Sequence, residues 1–290
     1  MAMLPNPLPK LAADPTGGVL GLDLPPGALI DTTFEGHWHE PLLWCAEAPA
    51  RPGDWSRLLT ARRAAGLHPV LISGDEEEDD EGPQDWELSP GQVSYPGDHD
   101  AEEVLADYWE EYAADDAPDG EGGRDGGSAD DTTIAPYGPD WPGLARPFTS
   151  APTPESEADA RAAEVADSLT ERGGALPEPR IALVPARRSA DIPAAIGWTG
   201  PLNYDGDVAR LCAVLRSWED RFGIRVVALT FDQLIVSVAA PPTTAEEAEA
   251  LAVEHFAFCP DNITQSDYGT LREYAAKQLL NRRSWSFWWD

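Results

Sequence analysis

Asn203, Tyr204, Asp205 and Asp207 gather amide, phenol and carboxylate groups just before a helix start, where such side chains can contact a ligand. The run resembles a calcium loop only briefly. Its twelfth position is Val214 rather than glutamate, so the loop pattern fails. Helix capping and turn formation are the competing roles. His255, the only histidine after residue 100, falls on one stripe with Leu251, Phe258 and Cys259. That placement turns it inward, as a core histidine rather than a general base. Cys259 lies at a helix C-terminus, where the dipole opposes thiolate formation, so a nucleophilic thiol is not expected. Asp261 follows Pro260 in a loop, as a turn residue or a ligand contact. The last six residues, WSFWWD, alternate. On a strand, Trp285, Phe287 and Trp289 share one face, and Trp288 and Asp290 share the other. A tryptophan exposed beside carboxylates is the kind of anchor that partners use. His37-Trp38-His39 would place two imidazoles on one face of an extended strand, with Glu35 or Cys45 to complete a metal site. Two ligands at that spacing read better as a polar strand edge. No metal and no cofactor is expected.

The elements that must position these residues are clearest in residues 180–290. Arg180 to Pro185 is an apolar strand. A helix from Val208 to Phe222, capped by Asp205 or Asp207 and stopped at Gly223, carries the stripe Leu211, Val214, Leu215, Trp218 and Phe222. Arg225 to Phe231 and Gln233 to Ala239 form an antiparallel hairpin about Asp232. A capping box from Thr243 to Glu246 opens a helix running to about Phe258. A second box, Thr270 to Glu273, opens another through Leu280, and the tryptophan-rich end closes the chain as a strand. The order is β-α-β-β-α-α-β. It implies an α+β fold with an antiparallel or mixed sheet and helices mainly on one face.

Residues 1–74 read as a small α/β part: a strand over 40–47, a helix from Asp54 to Ala65 ended by Gly66, and a strand over 68–73. The link between the first strand and the helix, APARPGD, has no glycine-rich phosphate loop. Residues 132–179 form a proline-rich connector and a helix opened by Thr153-Pro154. Ala158, Ala162, Val165, Ala166 and Leu169 make that helix weakly amphipathic, which fits a connecting element on the surface.

Charge divides the chain. The net charge is −32, yet residues 75–131 hold 23 acidic side chains against the single Arg124. The acidity is therefore a local insertion, expected to be mostly disordered. Within it, residues 101–112 have the spacing of an amphipathic helix. The acidity disfavours nucleic acid and anionic lipid as partners. No apolar run nears the roughly 20 residues of a membrane span, and the N-terminus carries no secretory pattern, so a cytoplasmic protein is expected. Three widely spaced cysteines indicate no disulfide framework. Arginine outnumbers lysine 18 to 2, which fits a GC-rich, actinobacterial genome.

The combination LNYDGDVARLC, LRSWEDRFG with its hairpin, EHFAFCPDNI and WSFWWD resembles the bacterial domain-of-unknown-function family 4253 over residues 180–290. The resemblance supports the domain boundary and implies no activity. The lack of a catalytic constellation, the acidic segment and the tryptophan-rich end point to a non-enzymatic interaction protein, one form being an immunity-type protein that neutralises a basic protein partner. The alternative is an enzyme or small-molecule binder with a pocket in residues 180–290. Asn203, Tyr204, Asp205, Asp207, His255, Asp261, Trp288 and Asp290 are the candidate binding residues. Partner identity and oligomeric state are not legible.

Overall fold

The computed structural model describes residues 5–74, 82–115, 134 and 136–290. Helix α1 (Pro9–Ala13) precedes strand β1 (Gly27–Ile30) and a two-residue ladder of β2 (Thr32–Thr33) and β3 (Gly36–His37). Strand β4 (Leu43–Pro49), helices α2 (Asp54–Leu58) and α3 (Thr60–Ala65), and β5 (Leu67–Ile72) follow. Gly66 ends α3 with φ +68°, a left-handed stop that glycine adopts without a Cβ penalty. Next come α4 (Ala101–Asp115), α5 (Glu155–Thr170), β6 (Arg180–Pro185), α6 (Ile192–Ile196) and α7 (Val208–Phe222). The chain ends with β7 (Ile224–Leu229), β8 (Gln233–Val238), α8 (Ala245–Phe258), α9 (Asp261–Thr264), α10 (Leu271–Tyr274) with a π-helical turn Ala275–Leu279, and β9 (Ser284–Trp288).

Seven strands form one mixed sheet in the order β1-β4-β6-β5-β7-β8-β9. Strand β6 lies between β4 and β5, antiparallel to both. Strands from residues 27–72 and 180–290 therefore share a single sheet. Strand β5 is parallel to β7, and β7, β8 and β9 are successively antiparallel. The α+β class is as the residue pattern implies. Two short helices, α6 and α9, add to the expected C-terminal order.

Alternate residues on the central strands face two cores, so the strands are apolar on both sides. Val70, Ile72, Val184, Val226 and Val236 meet the helices contributed by residues 180–290, including the full predicted stripe of α7. Leu67, Leu71, Ile181, Leu183 and Val227 meet α2, α3 and α5 on the opposite face. Helix α5 is thus a core layer rather than a surface connector. Its predicted stripe is buried, and its Asp159 joins Arg62 of α3 to Arg225 of β7.

Several local expectations shift. The cap of α8 is Thr244 with Glu247, one residue beyond the expected box, and the Glu247 carboxylate accepts from both the Thr243 and the Thr244 amides. Helix α5 starts at Glu155 with Pro154 at its N-cap and no side-chain cap. Residues 82–115, within the stretch expected to be mostly disordered, are packed. Trp86 and Leu88 are buried, and α4 lies over α7 and α8 through Val104, Leu105, Tyr108 and Trp109. The carboxylate run 75–81 and the low-complexity run 120–131 lie outside the described residues. Among the described residues, no helix is long and apolar enough to cross a membrane.

Candidate functional site

Seven of the eight candidate residues meet at one end of the sheet, where β7 turns into β8 and β9 finishes. Asp207 caps α7, its Oδ1 accepting from the Ala209 amide at 3.1 Å and also from the Ser94 amide at 3.1 Å. Asp205 accepts from the Asp207 amide at 2.7 Å, from Arg210 Nη1 at 3.0 Å and from the Tyr108 hydroxyl of α4. These carboxylates are occupied in fastening α4 and α7. Tyr204 donates to the Ala257 carbonyl, and burial pushes its phenol pKa upward.

The remaining residues hold β9. Asn203 Nδ2 donates to the Asp290 carbonyl at 3.0 Å, and Asp261 Oδ2 accepts from the Asp290 amide at 3.3 Å. Asn262, one residue on, reads the outer edge of β9 as a neighbouring strand would. Its Nδ2 donates to the Ser286 carbonyl at 2.7 Å, and its Oδ1 accepts from the Trp288 amide at 3.2 Å. Cys259 Sγ donates to the Trp288 carbonyl at 2.9 Å. An unpaired edge strand is open to association with other chains, and these side chains close much of this one. The segments AFCPDN and WSFWWD are therefore physically one unit. Burial raises the Cys259 thiol well above its ordinary pKa, which removes it as a nucleophile.

His255 is the exception. It is fully buried beneath this end, against Trp218, Trp285 and Phe287. Nδ1 lies 3.1 Å from the Tyr274 hydroxyl, while Nε2 has no partner among the described residues. Burial drives its pKa well below the ordinary histidine value, so the ring is neutral and out of reach of a substrate. The neighbouring Glu254 went unnoticed in the sequence because it reads as one more helix carboxylate. It is fully buried, yet it accepts from Arg221 Nη1 and Nη2 at 2.7 and 2.5 Å, from Trp218 Nε1 at 2.8 Å and from the Ala145 amide at 2.7 Å. All its lone pairs are used, which makes it a structural ion pair.

The surface above these contacts carries apolar side chains. Phe231 in the β7–β8 turn is 46% exposed and Leu202 is 50% exposed, both large for apolar groups outside a core. Trp198 Nε1 joins their loops by donating to the Thr230 and Phe231 carbonyls at 2.9 and 3.1 Å. Trp288 is half-buried, its Nε1 donating to Asp232 Oδ2 at 2.8 Å. Asp232, Asp261 and Asp290 have no ion-pair partner among the described residues. Most buried carboxylates are instead matched by arginine, as Asp191 is by Arg216 and Asp159 by Arg225. Sequence reasoning missed Phe231 and Leu202 because apolar residues in a turn carry no pattern that separates exposure from burial. His37 and His39, weighed above as metal ligands and read as a polar strand edge, engage different neighbours. His37 turns to Asp31 Oδ1 at 2.9 Å, and the His39 ring lies against Trp38. Among the described residues no cluster of three His, Cys, Asp or Glu side chains has metal-holding geometry.

Residues 180–290, from the first residue of β6 onward, match the model of a family described as Domain of unknown function (DUF4253). No curated protein and no solved structure matches the chain.

Proposed function

We propose that this chain is a cytosolic, non-enzymatic interaction protein that receives a basic protein partner at the β7–β8–β9 end of the sheet. The observation that carries this reading is the juxtaposition of Leu202, Phe231 and half-buried Trp288 with three carboxylates that have no ion pair among the described residues. An apolar centre with an uncompensated acidic rim favours a partner that brings an apolar side chain ringed by lysine or arginine. The net charge of −32 adds long-range attraction for such a partner. An immunity-type protein that neutralises a basic toxin is a concrete form, and a toxin-like neighbouring gene would accord with it.

The test is co-purification from the source organism at low salt with tagged full-length chains. The variants are Leu202→Ser with Phe231→Ser, Asp232→Asn with Asp290→Asn, and a chain with residues 75–81 changed to amides. A basic protein held by the native chain and released by both surface variants supports the proposal. Retention by all the chains, or no retained protein at all, overturns it. Loss only on neutralising 75–81 would move the contact to the acidic run.

A further inference from the structure

At the other end of the sheet, where β5 begins and β6 finishes, a groove of about 590 Å³ opens. The volume is in the range of small-molecule sites. Six of its lining residues are prolines. Proline has a fixed φ and no N–H, so these walls are preformed and supply few donors. The polar side chains of the lining are largely engaged with the chain itself. Asn6 Nδ2 donates to the Pro41 carbonyl at 2.8 Å, and its Oδ1 accepts from the Leu8 amide at 3.0 Å. Ser94 Oγ lies 2.6 Å from His99 Nε2. Asp191 is taken up bidentately by Arg216 at 2.5 and 2.9 Å. Arg216 further engages Tyr95, as a hydrogen-bond donor and with its guanidinium 5.1 Å from the ring centroid. Arg187 is engaged as well, its guanidinium 5.9 Å from the same ring. His39 and Glu40 stand on the exposed rim, where water solvates them. Trp38 is different. It is half-buried in the groove wall, and its Nε1 has no hydrogen-bond partner among the described residues.

We infer that this groove binds a small uncharged molecule with a planar, largely apolar body and one hydrogen-bond acceptor, such as a ketone or amide carbonyl. The body covers the aromatic and alanine walls formed by Trp38, Tyr95, Ala194 and Ala195, and the acceptor takes the Trp38 N–H. An ionised ligand would give up its hydration without gaining a countercharge, because the charges within the groove already have partners. A neutral ligand loses little on entry and satisfies the one open donor. Trp38 comes from the N-terminal part, and Ala194 and Ala195 from residues 180–290, so neither part alone forms the site. It is separate from the protein-interaction surface and does not depend on it.

The probe is prodan, an uncharged naphthalene ketone whose emission shifts when it leaves water. Two dyes serve as controls: phenylnaphthylamine, uncharged and without a carbonyl, and anilinonaphthalene sulfonate, the same rings with an anionic group added. Full-length protein should bind prodan saturably at one site, with phenylnaphthylamine competing for it. The sulfonate should bind at least about tenfold more weakly than phenylnaphthylamine, since its charge finds no countercharge. Trp38→Phe keeps an aromatic wall and removes the donor. It should weaken prodan about fivefold, the scale of one neutral hydrogen bond, and phenylnaphthylamine by no more than about twofold. Ala195→Phe, which fills the groove, should abolish binding of both uncharged dyes. Trp38→Ala, expected to weaken both, serves if the Ala195 variant does not fold, with urea midpoints as the check. Phe231→Ser should leave binding unchanged. Absence of saturable prodan binding, a sulfonate that binds as tightly as phenylnaphthylamine, a Trp38→Phe variant that binds prodan like the native chain, undiminished binding in the groove-filling variant, or loss in Phe231→Ser would each overturn the inference.

Discussion

Replacing Asn262 with alanine tests whether a single side-chain amide seals the outer edge of β9. Asn262 makes two hydrogen bonds to that strand, at 2.7 Å to the Ser286 carbonyl and 3.2 Å to the Trp288 amide. A hydrogen bond of this kind contributes about 1 kcal/mol net, so Asn262→Ala should cost about 2 kcal/mol. Water reaches part of this edge, because Ser286 is exposed, which argues against a larger loss. Asn262→Asp should be worse than alanine, at roughly 3 kcal/mol. The substitution places a carboxylate oxygen against the Ser286 carbonyl, so two acceptors face each other without a proton. Acidification should then relieve the aspartate variant relative to alanine, since a protonated carboxyl can donate. Urea denaturation followed by tryptophan fluorescence measures the global loss. Hydrogen exchange gives the local signature: the Trp288 amide should exchange faster in Asn262→Ala, while the Trp289 amide, bonded to the Asp232 carbonyl at 3.2 Å, stays protected. An alanine variant within about 0.5 kcal/mol of the native chain, the usual range for surface changes, would refute the clasp. So would an aspartate variant no less stable than alanine.

Glu254→Gln should destabilise by about 3 kcal/mol in thermal unfolding, because it leaves the part-buried Arg221 guanidinium without the countercharge of the fully buried Glu254. Burial foremost, with Arg62 and Arg225 nearby, holds His68 at a pKa of about 4. Between that value and about 6.5 the unfolded chain binds a proton that the folded chain refuses. Stability should therefore fall as pH drops through this window, by about 3 kcal/mol from His68 alone at about 1.4 kcal/mol per pH unit, and His68→Gln should flatten the slope measured by urea midpoints. Gly197→Ala should destabilise by more than about 1 kcal/mol in the same assay. Its φ is +67°, and a Cβ there would come within 2.2 Å of the Pro90 nitrogen. Cys45, Cys212 and Cys259 are buried with raised thiol pKa values, so a thiol-specific reagent should label them only at the rate of unfolding.

Much of the fold was legible in the residue pattern because periodicity and stop signals are local. The α7 stripe, the Gly66 and Gly223 stops and the Asp232 turn depend on neighbours within a few positions, and each appears at its expected place. The alternation in WSFWWD placed Trp285, Phe287 and Trp289 in the core and left Trp288 on the opposite face. The exact cap of α8 was missed by one residue, since adjacent threonines offer two equivalent boxes and only the chain path chooses between them.

Tertiary structure alone decided the rest. That β6 enters between β4 and β5 depends on partners more than 100 residues away, and backbone hydrogen bonding is blind to sequence distance. The weak stripe of α5 became a core layer because the sheet's second face had to be covered. The candidate residues gained their meaning in the same way. As sequence, Asn203, Asp205, Asp261 and Asp290 were polar groups open to several roles; in space Asp205 fastens α7 to α4, and Asn203 and Asp261 hold the end of β9 through the Asp290 backbone. Exposure of Leu202 and Phe231, and burial of His255 and Glu254, likewise follow from what packs around each side chain, which residue type does not encode.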